Sequence, residues 1–254
     1  MRKIVWFSCG AASAVAAKIA TQKYKNVIVA YCDTSANEHP DNMRFFADIE
    51  KWIGQPITKL NNPKYTDTWD VWNKTGYLVG VAGARCTSEL KRAVRVAFEQ
   101  DGDTQMFGYT IEETKRAKLF EKNNPEIKTE WPLIAEGLSK SDCLGMLWRA
   151  GIKIPAMYEL GYANNNCIGC VKGQAGYWNK IKIDFPAIFA RMAKQERQMD
   201  VAINKKYING ERVRVFLDEL PPNMGNYKTE PDISCGIVCS SAYDGLEIEP
   251  CEIP

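Results

Sequence analysis

Lys3-Ile4-Val5-Trp6-Phe7-Ser8-Cys9-Gly10-Ala11-Ala12-Ser13-Ala14 is the stretch from which the fold follows. A short β-prone run enters a turn of small residues, and an Ala-rich segment of good helix formers continues to Tyr24. A second apolar run, Asn26-Val27-Ile28-Val29-Ala30-Tyr31, ends at Cys32-Asp33-Thr34, so the chain opens with a βαβ unit. Asp41 to Ile53 carries Phe45, Phe46, Ile49 and Trp52 at helical spacing, and Pro56-Ile57-Thr58-Lys59-Leu60 predicts a third strand. Local alternation of strand and helix specifies an α/β fold: a parallel, Rossmann-like sheet covered on both faces, with ligand sites outside the carboxyl ends of its strands.

Further along, Ser88 to Gln100 predicts a helix, Thr104 to Tyr109 a strand, and Glu112 to Asn123 a helix that Pro125 closes. Ser139-Lys140-Ser141-Asp142 opens an N-capped helix ended by Gly151. Gly161 to Cys170 is polar and glycine-containing and predicts a loop, Phe185 to Met199 an amphipathic helix, and the chain beyond Asn223 an irregular tail. The expected division is a core over residues 1–135 and a helical, loop-rich, Cys-containing part over 136–254 packed on it.

With 254 residues, 45% hydrophobic and 25% charged, the chain can bury a substantial core, which excludes disorder, collagen and small disulfide scaffolds. No stretch approaches the ~20 apolar residues of a membrane span, and Ser8 and Gly10 interrupt the start too early for a secretory segment. A cytoplasmic protein with no membrane partner is expected. Lys plus Arg at 33 against Asp plus Glu at 31 neither demands nor forbids a nucleic-acid partner. Nine cysteines in a reducing compartment point to metal or redox chemistry rather than disulfides. The single histidine, His39, rules out a histidine pair in catalysis; before Pro40 it reads as a turn residue.

Small residues between a strand and a helix allow backbone N–H groups and the positive helix end to face an anion, so Phe7 to Ala14 suits a phosphate; the same residues also suit a tight turn with nothing bound. Cys167-Ile168-Gly169-Cys170 can close around one metal centre, and Cys235-Gly236-Ile237-Val238-Cys239 offers a second pair; four thiolates suit zinc or an iron–sulfur cluster. Cys32, Cys143 and Cys251 read as small buried hydrophobes. Lys172, Tyr177, Trp178, Lys180 and Lys182 interleave basic and aromatic side chains, a pattern that serves either a nucleic-acid surface or a core.

Ser8-x-Gly10-x-x-Ser13 resembles the S-G-G-x-D-S pyrophosphate loop of the adenine-nucleotide alpha hydrolase (PP-loop) superfamily, with Cys9 in place of the second-position glycine and Ala12 in place of the aspartate. Tyr31-Cys32-Asp33-Thr34 with Glu38-His39-Pro40 is similar to the D-T-x-x-E-x-P segment of its PAPS-reductase-like branch. Arg85-Cys86-Thr87-Ser88-Glu89-Leu90-Lys91 resembles the C-T-x-x-L-K segment of sulfur-handling members, and Phe107-Gly108-Tyr109-Thr110 with Arg116 the later G-x-x-x-E-x-x-R region. The ordered set, over roughly residues 4 to 180, looks nearest to the ATP pyrophosphatases of DNA phosphorothioation.

The resemblance implies a HUP-type core over 1–135 that binds ATP with Mg2+ through Ser8, Cys9, Gly10, Ala11, Ala12, Ser13, Asp33, Thr34 and Gly108. Asp33 takes the place of the missing loop aspartate near magnesium, and Lys91 and Arg116 stabilise charge developing on pyrophosphate. It also implies a [4Fe-4S] cluster on Cys86, Cys167, Cys170 and either Cys235 or Cys239, with zinc as the alternative. The implied reaction cleaves ATP to AMP and pyrophosphate, activating a nucleic-acid phosphate or base for sulfur delivered by a cysteine desulfurase, DNA in preference to tRNA. A lowered thiol pKa is expected at Cys9 or the cluster cysteines. The competing expectations are an APS or PAPS reductase, though Ser234-Cys235 without a following histidine departs from its E-C-G-x-x-H tail, a tRNA thiolation enzyme, and a zinc-bound nucleotide sensor. A homodimer stays open.

Overall fold

Alternate side chains of Lys3–Phe7, the first strand (β1), leave the sheet in opposite directions and build two cores. Val5 and Phe7 join one apolar cluster with Val29 and Phe45, while Ile4 and Trp6 join another with Val94 and Phe120. In the computed structural model, which describes residues 1–80, 83–233 and 235, β1 is followed by α1 (Ala11–Lys23), β2 (Val27–Cys32), α2 (Asn42–Ile53), β3 (Thr58–Leu60) and α3 (Thr68–Thr75). The short pair β4 (Val79–Gly80) and β5 (Gly83–Ala84) leads into α4 (Arg85–Thr87), a π turn over Ser88–Arg92, and α5 (Ala93–Phe98). Then come β6 (Thr104–Phe107), α6 (Thr114–Asn123), β7 (Lys128–Glu130), α7 (Pro132–Ala135), α8 (Lys140–Arg149), α9 (Ala156–Glu159), α10 (Ala175–Asp184), α11 (Pro186–Met199), β8 (Asn204–Ile208) and β9 (Glu211–Val215).

Five strands form one sheet in the order β3-β2-β1-β6-β7, and every neighbouring pair is parallel. The α/β class and the parallel sheet with helices on both faces are therefore as the sequence specifies. The chain steps outward from β1 to β2 and β3, then crosses back to place β6 on the other side of β1. That reversal leaves a crevice outside the carboxyl ends of β1 and β6, the place where open α/β sheets take ligands. No helix among the described residues is long and apolar enough to cross a membrane.

Packing does not follow the division at residue 135. Cys143 and Leu147 of α8 are buried in the same cluster as Ala14 and Val15 of α1. Trp69 and Trp72 of α3, together with Leu78 and Leu90, form a third cluster with Trp178, Ile181 and Met192 of the two long C-terminal helices. Apolar faces pair by proximity, so α3, Leu78, Ala84 and Leu90 become part of the floor of the cysteine-bearing part, while α5 packs on the sheet.

The antiparallel hairpin β8–β9 is an element the sequence reading leaves out, although Asn209-Gly210 is its signature: both residues take positive φ, 52° and 83°, as a two-residue hairpin turn requires. Its two ends are tied by one side chain. Glu196, fully buried in α11, accepts the Ile203 N–H and the Leu217 N–H, each at 2.6 Å. Burial outweighs those two donors and raises the carboxyl to about 7. The folded state thus holds this proton more tightly than the unfolded chain, so its contribution to stability is complete below the ordinary glutamate range and declines as pH rises toward 7. Glu196→Gln puts an amide NH2 against one of the two backbone donors and is expected to cost about 1–3 kcal/mol. Denaturant titrations across pH 4–8 should show the wild-type decline and its absence in the variant, whereas parallel profiles would refute the clamp.

Candidate functional site

A cavity of about 530 Å³ opens at the crevice between β1 and β6. Phe7, Cys32 and Phe107, the last residues of β1, β2 and β6, form its floor, and the turn after β1 forms one wall through Ser8, Gly10, Ala12 and Ser13. Ser13 braces that turn from inside: its hydroxyl donates to the Gly10 carbonyl at 3.0 Å and accepts the Ser8 N–H at 3.1 Å. With that proton committed, the Ser8 hydroxyl is left to donate to Ser13 Oγ, also at 3.1 Å.

The amino end of α1 carries no charged or capping side chain of its own. Gly10 caps it without a side chain, the first turn carries no acid, and Ala11 donates its N–H to the Tyr158 hydroxyl at 3.3 Å. Gly108 lies flush on this turn: a Cβ there would stand 2.6 Å from Ser13 Cα and 2.7 Å from Ser13 N, so only glycine lets the end of β6 approach. The positive end of a helix with its first turn on a cavity wall is a site for an anion.

Cys9 takes φ of 53°, the left-handed region that favours glycine, which is the residue the resembled loop carries there. Its side chain points inward, fully buried, with Sγ 3.9 Å from the Asn42 carbonyl oxygen. Burial first, then the Glu38 carboxylate, pushes this thiol well above the ordinary range. The expected activation of Cys9 by the helix end is thereby corrected, because desolvation exceeds the pull of the dipole.

Of the strand-end acids, Asp33 accepts the Ser35 N–H at 3.0 Å and the Ser35 hydroxyl at 2.6 Å, closing a local turn rather than lining the cavity. Glu38 lines it instead, held by the Thr34 hydroxyl at 2.6 Å, the Tyr31 hydroxyl at 2.9 Å and the Asn42 amide at 2.8 Å. The motif Glu38-His39-Pro40 contained this residue without revealing its role, since Glu38 reaches the crevice only through the turn at Ser35–Asn37. His39 Nδ1 accepts the Asp41 N–H at 3.1 Å, as a turn residue does. Asn165 is a second residue that sequence reasoning missed. Its amide donates to the Cys9 carbonyl at 2.6 Å and to Asn42 Oδ1 at 2.9 Å, and its own Oδ1, buried on the cavity wall, has no hydrogen-bond partner.

Lys91 and Arg116 both line the cavity. Lys91 belongs to the π turn over Ser88–Arg92, a widened turn of the kind often found at functional sites. The turn's carbonyls are met by side chains, Asn62 at Glu89 O (3.1 Å) and Cys32 at Lys91 O (3.7 Å). Burial alone would lower the Lys91 ammonium, yet Cys235, Cys167 and Glu38 together raise it above its ordinary value, so it stays charged. Its Nζ lies 3.5 Å from the Cys235 carbonyl oxygen. Arg116 pairs with Glu113 at 2.8 Å and sits over the Tyr109 ring, 4.3 Å from its centroid.

Cys86, the Cys167–Cys170 loop and Cys235, from three parts of the chain, lie within electrostatic reach of one another and of Lys91. The Cys170 thiol donates to the Cys235 sulfur, which with Lys91, Lys172 and the Thr87 hydroxyl, 3.5 Å away, holds Cys235 well below the usual thiol value. Cys86, pushed up to about 12 by burial and by Cys235, and Cys167, raised chiefly by burial, share the same field. Tyr177 shapes the Cys167–Cys170 loop: its hydroxyl accepts the Gly169 N–H at 3.0 Å and the Cys170 N–H at 2.9 Å. Cys239 lies outside the described residues. No group of three or more metal-binding side chains is already drawn together among the described residues. The chemistry of the donors nonetheless suits a thiophilic centre: Trp72 Nε1–H is buried without a full hydrogen-bond partner and favours the Cys86 thiolate, leaving a donor for a sulfur acceptor.

The rings of the basic and aromatic run after that loop serve the core rather than base stacking. Tyr177 and Trp178 are buried core residues, Lys180 pairs with Asp184 at 2.8 Å, and Lys182 lies over Phe189. The helical period of α10 turns its rings inward.

No protein-family model matches the chain, and no curated protein matches it. Gly108→Ala is expected to destabilise the protein by about 1–3 kcal/mol through the forced contact with Ser13, read as a lower melting temperature. Tyr177→Phe is expected to cost a similar ~1–3 kcal/mol for two buried N–H groups left without an acceptor. Wild-type melting of either variant would contradict the corresponding contact.

Proposed function

We propose that the chain is an ATP pyrophosphatase of the PAPS-reductase-like kind, cleaving ATP to AMP and pyrophosphate to activate a nucleic-acid group for sulfur transfer, with the phosphate backbone of DNA as the favoured acceptor. The observation that carries this reading is that the turn at the amino end of α1, Lys91 and Cys235 border one cavity. Phosphate-binding and sulfur-handling groups then need no domain movement to meet.

In this reading the triphosphate lies against the Gly10–Ser13 turn. A backbone phosphate oxygen of the nucleic acid attacks the α-phosphorus, forming a P–O bond as the bond to pyrophosphate breaks. Lys91 and the first-turn N–H groups stabilise the charge on the departing pyrophosphate, and Arg116, shared with Glu113, adds a weaker cation. Glu38, rather than Asp33, is the carboxylate available to magnesium arriving with ATP. The terminal sulfur of a desulfurase-derived persulfide then attacks the activated phosphorus, AMP leaves, and an external thiol supplies the two electrons that break the S–S bond. A [4Fe-4S] cluster held by Cys86, Cys167, Cys170 and Cys235 would add electron transfer and sulfur binding at the cavity's edge; zinc on the same thiols would only fix them in place.

Purified protein supplied with ATP, DNA, a cysteine desulfurase and a thiol reductant is expected to release AMP and pyrophosphate in equal amounts. Lys91→Ala is expected to lower that rate about 10²–10³-fold. Protein prepared without oxygen is expected to be brown. Sulfite formation from PAPS would replace this reading with a reductase, and a colourless zinc protein that binds ATP without turnover would replace it with a sensor.

A further inference from the structure

We propose that the outward face of the β8–β9 hairpin binds a single-stranded segment of nucleic acid. This rests on the nucleic-acid part of the reading above and locates a contact surface away from the cavity residues. The register pairs Lys205 with Arg214 and Tyr207 with Arg212, so these four side chains share one face of the ribbon. On the opposite face Asn204 and Val215 are buried, which turns the first face to solvent, and Tyr207 on it is 65% exposed.

Three cations around one exposed aromatic ring are costly for a hairpin on its own, since like charges placed directly across a strand pair repel. Arg214 is partly relieved by Asp200, 3.2 Å away. Among the described residues Lys205 and Arg212 have no acidic partner, and the paired strands place no acid between them. A phosphate chain meets that charge, and an unpaired base can stack on Tyr207.

The surface is also held rigidly enough to bind without first being ordered. Two-stranded ribbons are marginal alone, but Glu196 ties both ends of this one to α11. Phe216, the residue after β9, lies under the Arg197 guanidinium, 3.9 Å from ring centroid to cation, and Arg197 is itself anchored by Asp218 at 2.8 Å. The cost of fixing the binding face is met during folding.

The test is fluorescence anisotropy of the full-length protein with a fluorescein-labelled single-stranded DNA oligonucleotide over a series of salt concentrations, with its duplex and polyglutamate as competitors. Lys205→Ala/Arg212→Ala is expected to weaken binding about tenfold or more and to flatten the log–log salt slope by about 1.4, two phosphate contacts' worth. Tyr207→Ala is expected to weaken it about fivefold or more with the slope unchanged, while Lys205→Arg/Arg212→Lys retains wild-type affinity. All three should melt like wild type. Wild-type binding that survives both alanine variants overturns the surface and leaves the nucleic-acid reading standing. Preference for the duplex, or equal displacement by polyglutamate, overturns the single-strand assignment, and no binding of wild type to any nucleic acid overturns the surface together with the reading.

Discussion

Everything at the candidate site depends on one close approach, the backbone of Gly108 against the first turn of α1. The sheet brings β6 beside β1, and the turn following each strand must cross the same crevice. Because Gly108 has no side chain, the two turns lie in contact and Gly10, Ala12 and Ser13 of the turn line the cavity. No acid lies in the first turn and Gly10 offers no side-chain cap, so the Tyr158 hydroxyl on Ala11 N–H is the neutral partner that meets this end of the helix. The proposed phosphate site rests on that turn, with its positive helix end on the cavity wall.

Burial sorts the cysteines into different chemistries. Cys9 stands at a helix start, a location that by itself favours thiolate, yet it faces inward toward a carbonyl and is held protonated by desolvation. Cys235 is also enclosed, but Cys170, Lys91, Lys172 and Thr87 supply hydrogen bonds and positive charge that exceed the same penalty. Lys91 mirrors this: enclosure works against its charge and the neighbouring sulfurs restore it. Lys91 and Cys235 thus favour each other's charge, with the Cys170 hydrogen bond the largest influence on Cys235.

Glu196 shows burial working in the other direction. Two backbone donors favour its charge and are outweighed, and the same contacts fasten an external hairpin to the body of the protein. Rigid attachment separates the cationic ribbon from the buried aromatic core of α10, whose sequence shows a similar mixture of lysines and rings. The two segments differ in period: every second residue of the ribbon faces water, whereas the turn of α10 carries Tyr177 and Trp178 inward.

The sequence by itself determined the α/β class, four of the five parallel strands and the helices α1, α2, α5, α6, α8 and α11, because their alternation is written in local periodicity; it did not show β7, α3 or α10, which are short or carry no clear apolar period of their own. It also marked the small-residue turn at Ser8 to Ser13 and the Cys167–Cys170 loop, whose geometries arise within a few residues. Only the tertiary structure decided that Glu38 rather than Asp33 lines the cavity, that Asn165 and Tyr158 reach the turn after β1, that Lys91 sits on a π turn, and that Trp69, Trp72, Leu78 and Leu90 pack with the cysteine-bearing part. These outcomes depend on contacts between segments far apart in the chain and on which groups lose their water. Periodicity reports which side of an element is apolar, and it carries no information about what that side will meet.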